Sequence, residues 1–316
     1  MKNNEKHPKV SVCIPTYNEA NLLKIAIESV LKQNFNDYEL IIVNDASTDN
    51  TEEIVKSFNH PKIRYYKNEK NLGLVGNWNK CLEYVKGDYI KFLFHDDYLR
   101  KDSLEKIINV FRKYEKVGLV FNANQNINQD NDYIGVYRPY KEDRYFKGKE
   151  LVVEAVIKGI GGPSSVAVKK EAFGRLGLFT DELKFGCDEE MWVRVLMHYD
   201  GYYINDRLSF IRIHERSETS RLQKEGVTAL ENFKNLEYYF RDKNIKKLFT
   251  KDQIEKCYIR VLKKAIGITL HNLKSLHLIK FLKNIKMIFS YCSLHIILLT
   301  LKDTLVIRFR KELAMD

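Results

Sequence analysis

"KVSVCIPTYNEANLLKIAIESVLKQNFNDYELIIVNDASTDNT" (residues 9–51) decides the fold. Its first seven residues alternate Val, Val and Ile with small groups and stop at Pro15, which reads as a strand. Residues 20–33 then place apolar side chains at 22, 23, 26, 27, 30 and 31, the spacing of an amphipathic helix. "YELIIV" (38–43) is a nearly unbroken apolar run, which fits a parallel strand covered on both faces. "STDNTEEIVKSF" (47–58) opens with capping residues and acidic first-turn positions and continues as a helix.

The alternation continues outward. "KIRYYKN" (62–68) is a third strand and "GNWNKCLEYVKG" (76–87) a helix with Gly87 as its expected C-cap. "DYIKFLF" (88–94) is a fourth strand, "DSLEKIINVFRKY" (102–114) a helix and "VGLVFN" (117–122) a fifth strand. This βαβ rhythm predicts an α/β, Rossmann-like, mostly parallel sheet flanked by helices. Residues 122–147 read as a polar loop; residues 161–173, 185–199 and 202–214 regain strand and helix character. Four basic helices are expected from 222 to the end.

Sites in such sheets form at the carboxyl ends of the strands. "IPTYNE", "VNDAST" and "FHDDY" all follow strands, so three polar segments meet at one edge. Adjacent carboxylates at Asp96 and Asp97 suit either Mg²⁺ or Mn²⁺, which take oxygen ligands from one or two carboxylates and substrate phosphates, or acid–base work. Neighbours on an extended chain point apart, which favours a division of labour over a shared proton. Asp45 is placed to accept an N–H from a nucleobase, and Asp49 to cap a helix.

These residues carry a resemblance. The stretch from Val10 to Thr51, with "NLGLVGNWNKCLEYVKGDYIKFLFHDDYL" (71–99), resembles the family 2 glycosyltransferases, nucleotide-sugar-dependent enzymes of the GT-A fold; the likeness runs over about residues 9–220. It implies that Pro15, Thr16, Tyr17 and Glu19 line the nucleotide pocket and that Asp45 reads the base, most often uracil. It also implies that Asn71 and Gly73 lie in the loop closing on the nucleotide. The family's metal motif is often Asp-x-Asp. Here Phe94 stands where the first Asp often does, so Asp96 is assigned to the ribose and Asp97 to the metal. The cation, Mn²⁺ or Mg²⁺, would stabilise charge on the departing diphosphate.

"GCDEEMW" (186–192) offers Asp188, Glu189 and Glu190 at a helix start, where the dipole alone favours acids. The family has Glu-Asp shortly before Trp, so the resemblance carries the catalytic base of an inverting transfer to Asp188. Glu189 and Glu190 are substitutes, Glu190 alternatively orienting sugar or acceptor. "GGPSSV" (161–166) permits close backbone approach. In "IRIHERSETS" (211–220), His214 is either structural or a metal or phosphate ligand, and Arg212, Arg216 and Arg221 are further phosphate candidates.

The 44% hydrophobic and 30% charged fractions fit a globular enzyme of one large or two smaller domains. We divide it into a catalytic domain, 1–221, and a basic helical extension, 222–316. Five scattered cysteines and no apolar leader suit the cytoplasm, without a disulfide framework or zinc knuckle. Residues 1–232 balance in charge, so the whole excess of +11 lies in 233–316. The most apolar run, 287–301, is shorter than the ~20 residues a span needs. A basic face touching the inner surface of the membrane is expected, suiting a lipid-linked or glycan acceptor in surface-polysaccharide synthesis. Helical packing or a homo-oligomer contact are the plainer uses. The tail carries no nucleic-acid motif, and no nucleic-acid partner is expected. No glycine fingerprint follows the first strand, against a dehydrogenase or a nucleotidyltransferase. A donor-binding scaffold without turnover is the remaining alternative.

Overall fold

The structure, a computed structural model, describes residues 7–274, 278–292, 296–297 and 300. Its strands are β1 (Val10–Thr16), β2 (Tyr38–Asn44), β3 (Ile63–Lys67), β4 (Tyr89–Phe92), β5 (Tyr98–Leu99), β6 (Val117–Ile127), β7 (Tyr133–Tyr137), β8 (Arg144–Phe146), β9 (Val166–Lys169) and β10 (Asp200–Arg212). Its helices are α1 (Ala20–Leu31), α2 (Thr51–Ser57), α3 (Gly73–Tyr84), α4 (Ser103–Lys113), α5 (Gly148–Lys158), α6 (Lys170–Leu176), α7 (Cys187–Leu196), α8 (Glu218–Lys224), α9 (Val227–Arg241), α10 (Lys243–Lys246), α11 (Lys251–Lys274) and α12 (Leu278–Tyr291). The chain forms two compact units. The first runs to Glu182 and includes Cys187–His214; the second holds Leu183–Gly186 and the chain from Glu215 onward.

The first unit is built on one sheet in the order β3-β2-β1-β4-β9-β6-β10-β5, with β7 on β6 and β8 on β10. β1 pairs in parallel with β2 and β4, β2 with β3, and β6 with β10. β9 runs antiparallel between β4 and β6, so the sheet is mixed rather than mostly parallel. All seven residues of β1 and of β2 are buried, as the apolar runs required. One face is covered by α1, through Leu23, Ala26, Ile27 and Val30, and by α4, through Leu104, Ile107, Ile108 and Phe111. On α3, Cys81 reaches the Cys13 thiol and Asn77 bonds the carbonyl of Val43. The buried polar pair in the strands is satisfied: Glu39 takes the Ser11 hydroxyl at 2.6 Å, the Lys86 N–H at 2.8 Å and the Arg64 guanidinium.

Two expectations fail locally. Residues 122–127 are not a loop: β6 continues to Ile127 and β7 returns along it. The amides that suggested a loop are used internally, with Gln125 Nε2 bonding the carbonyl of Gly135 at 2.7 Å and Asn124 Nδ2 bonding Asn126 Oδ1 at 2.7 Å. Gly87 is not a C-cap either, since α3 ends at Tyr84. A Cβ there would lie 2.6 Å from the backbone N of Ser11, so the glycine is required by close approach to β1.

In the second unit, α9, α11 and α12 pack together. Among the described residues no helix is long and apolar enough to cross a membrane. The run 287–301 lies partly outside the described residues.

Candidate active site

Because β1, β2 and β4 are parallel, Thr16, Asp45 and the turn at His95–Asp97 emerge at one edge. The Asp45 N–H donates to the carbonyl of Thr16 at 2.9 Å, and His95 Nδ1 lies 3.3 Å from the carbonyl of Pro15. The Thr16 hydroxyl is buried and has no hydrogen-bond partner among the described residues. Tyr17 is 45% exposed and Glu19 half-buried at the start of α1. Asn18 pins this loop to the next one, receiving the Thr48 N–H at 2.8 Å and donating its own to Ser47 Oγ at 3.0 Å. Asp49 accepts the N–H groups of both Ala20 and Thr51, tying together the starts of α1 and α2.

The Asp45 carboxylate is engaged by its own surroundings. Its side chain is buried and receives Asn68 Nδ2 at 2.8 Å, the Leu72 N–H at 2.8 Å and the Gly73 N–H at 3.0 Å. Asn71 Oδ1 shares the Gly73 N–H at 2.9 Å. Gly73 sits at φ +76°, a conformation that favours glycine. Asp45 therefore holds the Asn71–Gly73 loop in place, each bond to the ionised group contributing about 1.5–3 kcal/mol.

The two adjacent aspartates differ sharply. Asp97 is buried; the Arg212 N–H reaches its Oδ1 at 2.8 Å and the Ser164 hydroxyl also bonds it. Burial and the neighbouring Asp96 charge push its carboxyl well above the usual range. Asp96 keeps some exposure, and its Oδ2 lies 3.1 Å from His214 Nε2. Burial raises its carboxyl, but the His214 hydrogen bond and the charges of His95 and His214 hold it below the ordinary value. Thus His214 meets Asp96, whereas the sequence assigns the metal to Asp97. Arg212 is no phosphate ligand: its guanidinium is spent on the carbonyls of Asp96, Asn128 and Gln129 and on Asn131 Oδ1. Arg221 is likewise paired, with Glu218 and Glu225.

Three supporting residues, Ser164, Ser209 and Lys91, are not picked out as site residues in the sequence. The carbonyl of Ser164 accepts from Ser209 Oγ and from Lys91 Nζ, while its hydroxyl receives the Phe94 N–H at 3.0 Å. Lys91 is fully buried, and desolvation lowers its ammonium to about 7 against the pull of Asp97. A lysine in an apolar strand is the one available clue.

At the start of α7, Asp188 Oδ1 accepts the Glu189 N–H at 2.9 Å. Burial, with the charge of Glu189, raises the Asp188 carboxyl to about 7. Glu190 is engaged by its own helix: it is buried and ion-paired with Arg194, whose Nη2 donates to Oε2 at 2.8 Å. Arg194 in turn binds the carbonyls of Leu176 and Leu178, which anchors the α6–α7 connection.

A carboxylate–imidazole pair and a buried hydroxyl lie at the strand ends, and an elevated carboxyl stands at the start of α7. The profile of glycosyl transferase family 2 matches residues 11–177, and the chain belongs to that family. A glycosyltransferase of Rickettsia typhi is 30% identical over 222 residues, covering 70% of this chain and 69% of its own. The chondroitin synthase of Pasteurella multocida is 37% identical over 129 residues, 40% of this chain and 13% of that protein. Among solved structures, TarS of S. aureus in complex with UDP-GlcNAc is similar with a TM-score of 0.60 and 18% identity, over 90% of this chain and 91% of that one. The mannosyltransferase PcManGT of Pyrobaculum calidifontis, with GDP-Man and Mn²⁺, gives 0.61 and 18%, over 96% and 81%. The protein is a glycosyltransferase of the GT-A fold.

Proposed function

We propose that the protein transfers a sugar, with inversion and with a divalent cation, from a nucleoside diphosphate to a hydroxyl of a glycan or lipid-linked acceptor. The Asp96–His214 pair carries this reading. Carboxylate and imidazole are suitable partners for Mn²⁺ or Mg²⁺. Among the described residues no group of three such side chains gathers around a common point. Asp96 and His214 would hold the cation, with Asp97 buried behind them as a support. When bound, the cation stabilises charge on the departing diphosphate. Asn71 and Gly73 stand over the nucleotide, held by Asp45, and Thr16 supplies the buried hydroxyl. Pro15, Tyr17 and Glu19 complete that wall.

Asp188 takes the proton of the acceptor hydroxyl as its oxygen bonds the anomeric carbon. The bond from that carbon to the phosphate oxygen breaks, and the nucleoside diphosphate leaves with the electron pair. A carboxyl near 7 matches a base working at neutral pH. Glu189 raises it by its charge, and Glu190 fixes the helix through Arg194.

UDP is the favoured donor nucleotide, supported by the resemblance in residues 10–51 and by the UDP-GlcNAc complex of TarS. Likeness to chondroitin and hyaluronan synthases supports a role in surface polysaccharide. We place the catalytic domain at 1–221 and assign 222–316 to contact with the cytoplasmic face of the membrane. Leu282 and Phe289 on α12 are 56% and 62% exposed beside exposed Lys283 and Lys286, as an interfacial helix requires. Sedimentation with phosphatidylglycerol vesicles, against phosphatidylcholine, checks that contact; a concentration-dependent mass instead would make the face an oligomer contact.

The test of function is nucleotide release from UDP- and GDP-sugars with Mn²⁺. Release that disappears in Asp188→Asn supports transfer. Tight donor binding with no release for any donor and acceptor would favour a scaffold.

A further inference from the structure

The second unit contains a buried carboxylate with no cation beside it. Glu231 on α9 is 5% exposed, and among the described residues no lysine or arginine pairs with it. Its two oxygens instead accept consecutive backbone N–H groups, Lys184 at 3.0 Å to Oε1 and Phe185 to Oε2. One helical turn on, Asn235 Nδ2 donates to the carbonyl of Gly186 at 3.1 Å. Gly186 is at φ +83°, and a Cβ there would lie 2.6 Å from Asn235 Nδ2. Three successive residues are therefore gripped by two side chains of one helix face. Burying a carboxylate costs several kcal/mol unless its partners compensate. Among the described residues the compensation comes from the backbone of this segment, so the side chain is tied to one loop conformation.

That segment ends at Cys187–Asp188, the first residues of α7. We propose that Glu231 and Asn235 are positioning residues that fix the conformation of residues 184–186, the segment bonded directly to Cys187–Asp188. Through that segment they contribute to turnover. The idea rests on Asp188 being the base. A displacement of about 1 Å at a reacting group costs up to 10²-fold in rate, so a loosened loop lowers turnover without touching the donor site.

The test uses the full chain carrying Glu231→Gln, Glu231→Asp or Asn235→Ala. Gln offers one acceptor oxygen and faces the second N–H with its own amide, so one backbone donor is left unmet. Asp keeps both acceptors on a shorter stem. Two readouts are taken: the rate of tryptic cleavage after the exposed Lys184, and nucleotide release from whichever of UDP-N-acetylglucosamine and GDP-mannose the parent chain turns over. We expect Glu231→Gln and Asn235→Ala to be cut at least 10-fold faster. Their kcat falls at least 10-fold while donor KM and UDP–Mn²⁺ affinity stay within 2-fold, and Glu231→Asp recovers part of kcat. Unchanged cleavage, unchanged kcat, or equal losses in kcat and UDP affinity would overturn the proposal. Asp188→Asn is run alongside. If it keeps full turnover the base assignment fails, whereas the Glu231 result then shows only whether the loop is held.

Discussion

His214 Nε2 lies 3.1 Å from Asp96 Oδ2, although 118 positions separate the two residues. The contact closes the path from the end of β4 to the end of β10. It also distinguishes Asp96 from the adjacent Asp97, whose Oδ1 is bound by the Arg212 N–H. Asp96→Asn and His214→Ala should each weaken Mn²⁺-dependent nucleotide binding at least 10-fold and leave the melting temperature nearly unchanged. Asp97→Asn should lower the melting temperature as well, because it alters a buried group joined to Arg212 and Ser164. Parallel calorimetry and thermal melts separate the two patterns.

The pH profile follows from Asp188. A base works only when deprotonated, and its carboxyl is raised to about 7. Turnover at saturating donor should therefore climb between pH 6 and 8 with a midpoint near 7. Asp188→Asn should remove both the climb and the activity, with donor affinity retained. A flat profile over this range in the parent protein would contradict the assignment.

Arg212 is a clamp rather than a ligand. Its guanidinium holds four acceptors from the β4 turn and the 128–131 loop. A lysine presents one ammonium and lacks the planar fork. Arg212→Lys should cost about 3 kcal/mol of stability, from unmet buried carbonyls. Chemical denaturation measures it directly.

Lys91 predicts a stability slope. Its folded value is depressed to about 7 from 10.5, so between these limits the unfolded chain holds a proton there that the folded chain does not. Raising the pH through this window removes that proton from the unfolded state, and stability rises. Lys91→Met should flatten the rise seen from pH 7.5 to 9.5 in urea denaturation.

Much of this was legible in sequence. The apolar runs of β1 and β2 are central strands because both faces are covered, and the 3–4 spacing in α1 marks its buried stripe. The edge position of Thr16, Asp45 and Asp96 followed from strand order alone. What stayed hidden depends on contacts between distant segments. β9 enters the sheet antiparallel, and its short "VAVK" run has no directional mark. The Asn-rich end of β6 looked like loop because its amides find their partners within β6 and in β7, β10 and Ser165, contacts that a local pattern does not show. That Asp45 also binds the Asn68–Gly73 loop and that Glu190 pairs with Arg194 could not be read from the motifs themselves. Ser164 and Glu231 are not picked out as site residues, as each acts through backbone groups far along the chain.

The most direct measurement is a calorimetric titration of the purified full chain with UDP and GDP, each with and without Mn²⁺. The account predicts binding of one nucleotide, UDP, that is at least 10-fold tighter with Mn²⁺ and loses this dependence in His214→Ala. Folded protein that binds neither nucleotide under either condition, or binds equally well without the cation, would contradict it.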